Sequence, residues 1–253
     1  MAAPPHAPLV SIIIANWNYG RFLGEAIESA LRQTHPNVEV TVVDDGSTDD
    51  SVAVASRYPV QLVEQEHLGV SQARNRGVAA SQGQLLVFLD ADDILEPTFV
   101  ERCLARLTEQ GPRVAYVYTR MRLFGLDEDI FMSRPFERRS LLSGPYVPVT
   151  TLMHRAPFEE VGGFDPAWSL ALEDYELWIR MLASGYTGVL VPEPLLRYRK
   201  HGPSRNGLPG HVTDQLRSQL WITYPRMFWQ QILRHPVRAA RAYVPSLRLT
   251  TGS

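Results

Sequence analysis

Three groups of acidic side chains could do chemistry in this 253-residue chain: Asp44-Asp45-Gly46-Ser47-Thr48-Asp49-Asp50, Asp90-Ala91-Asp92-Asp93 and Glu173-Asp174. A lone His201 follows in the polar run RYRKHG. Carboxylates packed as closely as Asp90, Asp92 and Asp93 repel one another, and a divalent cation between them relieves the repulsion. Hard cations such as Mg2+ or Mn2+ bind through one or two carboxylates and complete their shell with water and substrate phosphates. The competing reading is a polar strand exit that caps the next helix. A carboxylate of Asp44-Asp45 could accept hydrogen bonds from a ribose hydroxyl or a base N–H. A glycine turn with a Ser or Asp helix cap explains the same residues. Glu173-Asp174 opens a helical pattern, where acids suit the helix dipole and are held low in pKa, or where one acts as a general base. His201 is either solvated or a metal ligand.

The elements that must position these groups alternate along the chain. Leu9–Ala15, Val38–Val43, Val60–Glu64, Leu85–Leu89 and Val114–Arg122 read as short buried strands. Arg21–Gln33, a segment capped by Ser47 or Thr48, Val70–Ala80 and Thr98–Gln110 read as helices. Such alternation predicts a parallel sheet covered on both faces, with ligands outside the carboxyl ends of its strands. Both aspartate clusters follow directly on strands, which puts them on that edge. In the second half Phe124–Tyr146 reads as a loop, Val149–His154 as a strand, Gly162–Pro166 as a turn and Asp174–Ala183 as a helix. Thr187–Val191 and Leu195–Tyr198 read as two separate short strands, and Val212–Tyr224 as a helix, after which Pro225 and Pro236 interrupt the tail. No G-x-x-x-x-G-K-[ST] or G-x-G-x-x-G follows the first strand, so phosphate must be held by metal rather than by a glycine loop. That argues against a P-loop kinase and a dinucleotide-dependent dehydrogenase.

Composition removes other classes. With 45% hydrophobic residues, 21% charged and a net charge of −2, the chain is neither disordered, collagen-like nor a coiled coil, and bulk nucleic-acid binding is disfavoured. One cysteine, Cys103, cannot form an internal disulfide, suits a reducing compartment and reads as core. The start MAAPPHAPLV lacks the basic and apolar regions of a signal peptide. No apolar run approaches the ~18 residues of a membrane span, so the expected location is the cytoplasm.

The average conceals a basic tail. Residues 211–253 carry six arginines and one acid, interleaved with Leu216, Leu220, Trp221, Tyr224, Phe228, Trp229, Ile232 and Leu233. Arg226, Arg234, Arg238 and Arg241 could hold such a segment on an anionic membrane face. Alternatively the helix packs on the rest of the protein with its arginines reaching solvent; packing is the expectation for Val212–Tyr224.

The ordered string VSIIIANWNYGRFLGEAIES, VVDDGSTDDS, GVSQARNRG, LLVFLDADD, EEVGGFDP, LEDYELWIRM and YRKHG resembles the inverting, family-two type glycosyltransferases, from about Val10 to about Ser204. The resemblance implies an α/β GT-A fold, with a mostly parallel central sheet flanked by helices. It implies a nucleotide-sugar donor, UDP- or dTDP-linked, a Mg2+ or Mn2+ ion, and a carbohydrate, glycolipid or other hydroxyl acceptor in polysaccharide assembly. By motif, Ala15, Asn16 and Trp17 line the nucleoside pocket, and Asp45 contacts base or ribose. Asp90, with Ala91, faces the donor, Asp92 ligates the metal and His201 reaches the metal or diphosphate. Asp174 is the general base, and Arg74 and Asn75 lie in the segment that closes over the donor. Where the family more often has Pro-Thr-Tyr-Asn, this chain has Ala15-Asn16-Trp17-Asn18. The Q-x-x-R-W motif of processive synthases is absent, which implies transfer of one sugar at a time. The expected organisation is a tail (1–8), a catalytic domain (9–204, its halves meeting at 122/123) and a basic helical extension (205–253). The rival readings are a sugar-nucleotide nucleotidyltransferase, whose glycine-rich basic loop ANWNYGRF matches poorly, and a donor-binding protein without catalysis.

Overall fold

The computed structural model describes residues 7–131, 133–201 and 210–234. The chain divides at residue 202 into two units. In the first, strands β1 (Val10–Asn16), β2 (Val38–Asp44), β3 (Gln61–Glu64) and β4 (Leu85–Asp90) pair in parallel in the order β3-β2-β1-β4. Helices α1 (Gly20–Leu31), α2 (Ser51–Ala55) and α3 (Val70–Ala80) connect them. Alternation along each strand sends side chains to opposite faces. Ile12, Ile14, Val40, Val42, Leu85, Val87 and Leu89 thus join one core with Leu23, Ala26 and Ile27 of α1. On the other face Ile13 and Val43 meet α3. A Cβ on Gly77 would stand 2.3 Å from Ile13 Cγ2, so α3 lies this close to the sheet because residue 77 has no side chain.

Beyond β4 the sheet continues as β8-β6-β9-β5, with β7 against β6. These strands are β5 (Ile94–Leu95), β6 (Val114–Gly125), β7 (Ile130–Phe131), β8 (Thr151–His154) and β9 (Thr187–Lys200). β8 runs antiparallel to both β4 and β6, which makes the sheet mixed. Helix α4 (Phe99–Thr108) buries Cys103, as expected, and burial pushes its thiol well up in pKa.

Several elements differ from the sequence expectation. The two strands predicted over Thr187–Tyr198 are one strand: the register with β6 jumps from Val191 to Pro194, and the prolines sit in that bulge, where no ladder donor is needed. Phe124–Tyr146 is not all loop, because it contains β7 and helix α5 (Arg138–Ser143), both too short to show periodicity. α2 starts at Ser51 behind Asp50, so neither Ser47 nor Thr48 caps it. This unit also contains α6 (Arg155–Glu160), a single 3-10 turn over Pro166–Trp168 and α7 (Glu173–Ala183).

The second unit contains α8 (Gly210–Thr223) and α9 (Pro225–Arg234). Pro225 interrupts the tail as expected: α8 ends at Thr223, and Pro225 begins α9 in the first turn, where a missing N–H costs no helical hydrogen bond. On α9, Phe228 is buried, whereas Trp229 and Leu233 are 54% and 70% exposed. Pro236, Arg238 and Arg241 lie outside the described residues. Among the described residues no helix is long and apolar enough to cross a membrane.

Candidate active site

Register brings the acidic strand exits together. Ala15 pairs with Asp90 across β1 and β4, and Asn16 with Asp44 across β1 and β2. Adjacent strands lie about 4.8 Å apart, so the ends of β2, β1 and β4 form one polar edge. The strand order reverses between β1 and β4, the switch point at which open α/β sheets leave a ligand crevice.

On the β1–β2 side, the amide of buried Asn16 donates to Asp44 Oδ1 (2.8 Å) and to Ser47 Oγ (3.1 Å). Its Oδ1 is buried without a partner among the described residues. Asp44 also accepts from the Ser47 amide and hydroxyl. It is therefore a turn-forming residue, and Gly46 at φ +75° supplies the conformation that turn requires.

Asp45 is more heavily engaged. Its Oδ1 accepts from Gln65 Nε2 (2.7 Å) and the Leu68 amide (2.8 Å); its Oδ2 accepts from the Gly69 amide (2.9 Å) and lies 2.9 Å from His67 Nδ1. Three donors of this chain thus hydrogen-bond the carboxylate, and His67 Nδ1, which lies 3.1 Å from the Asp45 main-chain oxygen, stands beside it as well. The structure therefore gives Asp45 the role of stapling the β3–α3 loop beneath the crevice, rather than presenting a free carboxylate. The staple holds His67 flat against Trp17, with ring centroids 4.2 Å apart and 21° between planes. Trp17 remains 47% exposed. His67 had no signal in the sequence, since the contact joins two loops fifty residues apart.

At the β4 exit, Asp92 Oδ2 lies 2.8 Å from His201 Nε2, so the two residues expected at a metal do meet. The His201 ring sits against Phe22 and Tyr19, at 4.8 and 5.5 Å between centroids, and its Nδ1 lies 3.5 Å from Arg21 Nη2. Burial and the neighbouring Asp90 charge raise the Asp92 pKa, while His201 lowers it. Asp93 points elsewhere: it is buried, and its Oδ1 accepts the Arg199 amide at 2.9 Å.

The third part of the site lies behind Asp90. Arg74, on the same face of α3 as Gly77, is 2% exposed and forks between Asp90 Oδ1 (2.7 Å) and Glu173 Oε1 (2.9 Å). Burial alone would lower its pKa, but Asp90 and Glu173 raise it above its ordinary value and keep it charged. Arg74 was expected in a segment closing over the donor; its guanidinium is instead sealed between two carboxylates. Asn75 likewise bonds the Phe164 main chain in both directions.

Glu173 and Asp174 begin α7 directly after Leu172, whose φ of +63° turns the chain sharply. For a residue other than glycine that conformation costs on the order of 1 kcal/mol or more. Asp174 accepts the Tyr175 amide at 2.7 Å. Its pKa is raised to about 7, first by burial and then by Glu173, with Arg74 opposing. Of the two readings of this helix start, one had the N-terminus hold the pKa low; desolvation by the surrounding side chains outweighs that effect here. The group is still partly open to solvent, which leaves it reachable.

These residues suit a cation bound together with a phosphorylated ligand. One carboxylate and one imidazole, Asp92 and His201, provide mixed oxygen and nitrogen donors, and a diphosphate would fill other positions. Among the described residues no group of three or more His, Cys, Asp or Glu side chains forms a self-sufficient cage.

A sequence model of the family described as glycosyl transferase family 2 matches residues 11–162. An uncharacterised glycosyltransferase of Rickettsia typhi is 30% identical over 190 residues, 70% of this chain and 59% of that protein. The chain spans between 31% and 59% of the length of the first curated relatives it matches. Among solved structures, S. aureus TarS in complex with UDP-GlcNAc superposes with a TM-score of 0.70 at 15% identity, over 92% of this chain and 79% of that one. The mannosyltransferase PcManGT of Pyrobaculum calidifontis, in complex with GDP-Man and Mn2+, gives 0.61 at 21% identity, over 94% and 70%. The fold is the GT-A fold of these structures.

Proposed function

Because the chain belongs to glycosyl transferase family 2, we propose that it transfers one sugar, with inversion, from a UDP- or dTDP-linked donor to a hydroxyl acceptor in polysaccharide or glycolipid assembly. The observation that carries this reading is Asp174. A carboxylate with a pKa near 7 can hold and release a proton at physiological pH, and the buried Glu173–Arg74–Asp90 chain ties it to the β4 exit. Asp174 takes the proton of the acceptor hydroxyl as that oxygen attacks the anomeric carbon, opposite the diphosphate. The bond from that carbon to the diphosphate oxygen breaks in the same displacement, so the configuration inverts without a covalent intermediate. Trp17 offers a ring face to the base, and the unpartnered Asn16 Oδ1 offers an acceptor to a base N–H. Asp92 and His201 would hold Mg2+ or Mn2+, which would supply positive charge against the leaving diphosphate.

A thermal-shift panel tests the donor class. At one hundred times its dissociation constant a ligand stabilises by about 2.7 kcal/mol, a rise of roughly 5–10 °C for a chain of this size. UDP- or dTDP-sugars with Mn2+ are expected to produce it, and EDTA to reduce it. No shift with any nucleotide-sugar would overturn the reading. In Asp92→Ala the metal-dependent part of donor affinity is expected to vanish, and an affinity still lowered by EDTA would count against Asp92 as ligand.

The reading includes peripheral contact with an anionic membrane face through α9, where Trp229 and Leu233 are exposed beside exposed Arg226 and Arg234. Burying each apolar side chain contributes about 1.5–3 kcal/mol. The Trp229→Ser/Leu233→Ser protein is therefore expected to float with phosphatidylglycerol vesicles at least about tenfold less than the unmodified chain. Equal flotation would sink this part.

A further inference from the structure

We propose that Arg199 is the positioning residue that sets Asp92 against His201, and that it thereby determines how tightly this pair takes a divalent cation. The inference rests on the reading of Asp92 and His201 as cation ligands, and concerns a residue two positions before His201.

Its surroundings make the case. The Arg199 guanidinium stands over two rings, 4.5 Å from the centroid of Phe22 on α1 and 4.4 Å from that of Phe124 on β6. The N–H groups of a guanidinium lie in its plane and form a fixed fork of donors. Here Nε donates to the Asp92 main-chain oxygen at 2.8 Å, and Nη2 pairs with Glu25 Oε2 at 3.0 Å. The Arg199 amide donates to Asp93 Oδ1 at 2.9 Å. One residue therefore grips the acidic turn at two successive positions, α1 through Phe22 and Glu25, and β6 through Phe124.

Residues two apart on a strand face the same side. Fixing Arg199 against the acidic turn therefore also fixes the direction in which His201 leaves the end of β9, and the 2.8 Å approach of His201 Nε2 to Asp92 Oδ2 follows. His201 is the residue directly after β9, which ends at Lys200. A cation that binds through two protein ligands depends on their separation, and partners that orient ligands typically change metal affinity by about 10–100-fold. Lysine cannot reproduce this arrangement. Its ammonium has no plane to stack on a ring and cannot reach Asp92 and Glu25 in one fixed fork.

Arg197 provides an internal control. It stacks on Phe124 at 4.7 Å, yet no hydrogen bond ties its side chain to the acidic turn among the described residues. If stacking on Phe124 were the whole function, the two arginines would behave alike.

The test is direct titration of the 253-residue chain with Mn2+ in the presence of UDP, reading free Mn2+ by electron paramagnetic resonance, beside melting curves of each variant. Arg199→Gln and Arg199→Lys are expected to weaken Mn2+ binding by about tenfold or more, with Arg197→Gln unchanged and Glu25→Gln intermediate. Melting temperatures near that of the unmodified protein in Arg199→Lys would separate this from general unfolding. Unchanged Mn2+ affinity in both Arg199 variants, or an equal loss in Arg197→Gln, would overturn the proposal while leaving the cation site standing. Failure of the unmodified protein to bind Mn2+ with UDP would overturn the cation reading and this inference with it.

Discussion

Asp174→Asn is expected to lower the rate of sugar transfer by about 10²–10⁴-fold, to leave donor affinity nearly unchanged, and to raise the melting temperature at pH 8. The three effects share one cause. The carboxyl moves from its ordinary 3.8 to about 7 because burial and the neighbouring Glu173 both disfavour its charged form. In the unfolded chain the proton leaves near pH 4, whereas the folded chain keeps it until about pH 7. The stability contributed by this group is thus fully present below pH 4 and is lost as pH rises through 7. Above neutrality the fold carries a buried charge it would be more stable without, and the isosteric amide removes it. Even 1 kcal/mol regained is roughly 2–4 °C in a chain of this size. The substitution would therefore stabilise the protein as it disables it, a trade expected where a charge is retained for chemistry.

The same shift dictates a pH–rate profile. Activity is expected to rise with pH through an apparent pKa near 7 and then to level, because Asp174 must be ionised to accept a proton. The limb in kcat/KM reports the free enzyme and that in kcat the loaded one. Asp90 contributes to holding the Asp174 pKa up, so a cation bound beside Asp90 should move the kcat limb to lower pH. A profile flat from pH 5 to 9, or near-normal turnover in Asp174→Asn, would remove Asp174 from the role of base.

The sheet and the position of its acidic edge could be read from the chain because both rest on local signals. Short β-branched runs alternate with helical spacing, and each aspartate cluster directly follows such a run. The mixed direction of β8 and the single long β9 could not be read this way. Direction is set by pairing across the sheet, and Pro192 and Pro194, which locally signal a break, are absorbed in a bulge. The same boundary runs through the site. Asp92 and His201 meet as their motifs implied, but Asp45 and Arg74 belong to the frame of the crevice. Whether a carboxylate is free or already engaged depends on partners twenty or more residues away, here Gln65 to Gly69. The pairing of Trp17 with His67 and the grip of Arg199 on the acidic turn are likewise long-range contacts without spacing of their own. The family match, for its part, favours glycosyl transfer over nucleotidyl transfer.

Arg74→Met is expected to be the most damaging single change in the first unit. It leaves Glu173 and Asp90 without the cation they share, and Glu173 is almost fully buried. Removing one partner of a buried ion pair costs about 3–5 kcal/mol, a loss of roughly 6–20 °C in melting temperature. The cost comes from a buried carboxylate that has lost its guanidinium, so deleting that carboxylate should recover part of it. Arg74→Met/Glu173→Gln is therefore expected to melt above Arg74→Met, with a coupling energy of about 1 kcal/mol or more. Arg74→Lys keeps the charge but not the fork, so it should retain one of the two contacts and fall between. The catalytic consequence is separable from the structural one. Arg74 pulls the Asp174 pKa down while burial and Glu173 push it up, so its loss should move the rising limb of the pH–rate profile to higher pH. Arg74→Met/Glu173→Gln removes one influence of each sign and should bring the limb back toward 7. If the two substitutions are additive within about 0.5 kcal/mol and the limb does not move in Arg74→Met, then Arg74 is packing rather than the charge linking the two halves of the site. If both shifts appear, the buried arginine on α3 couples the carboxylate beside the donor to the base that completes the transfer.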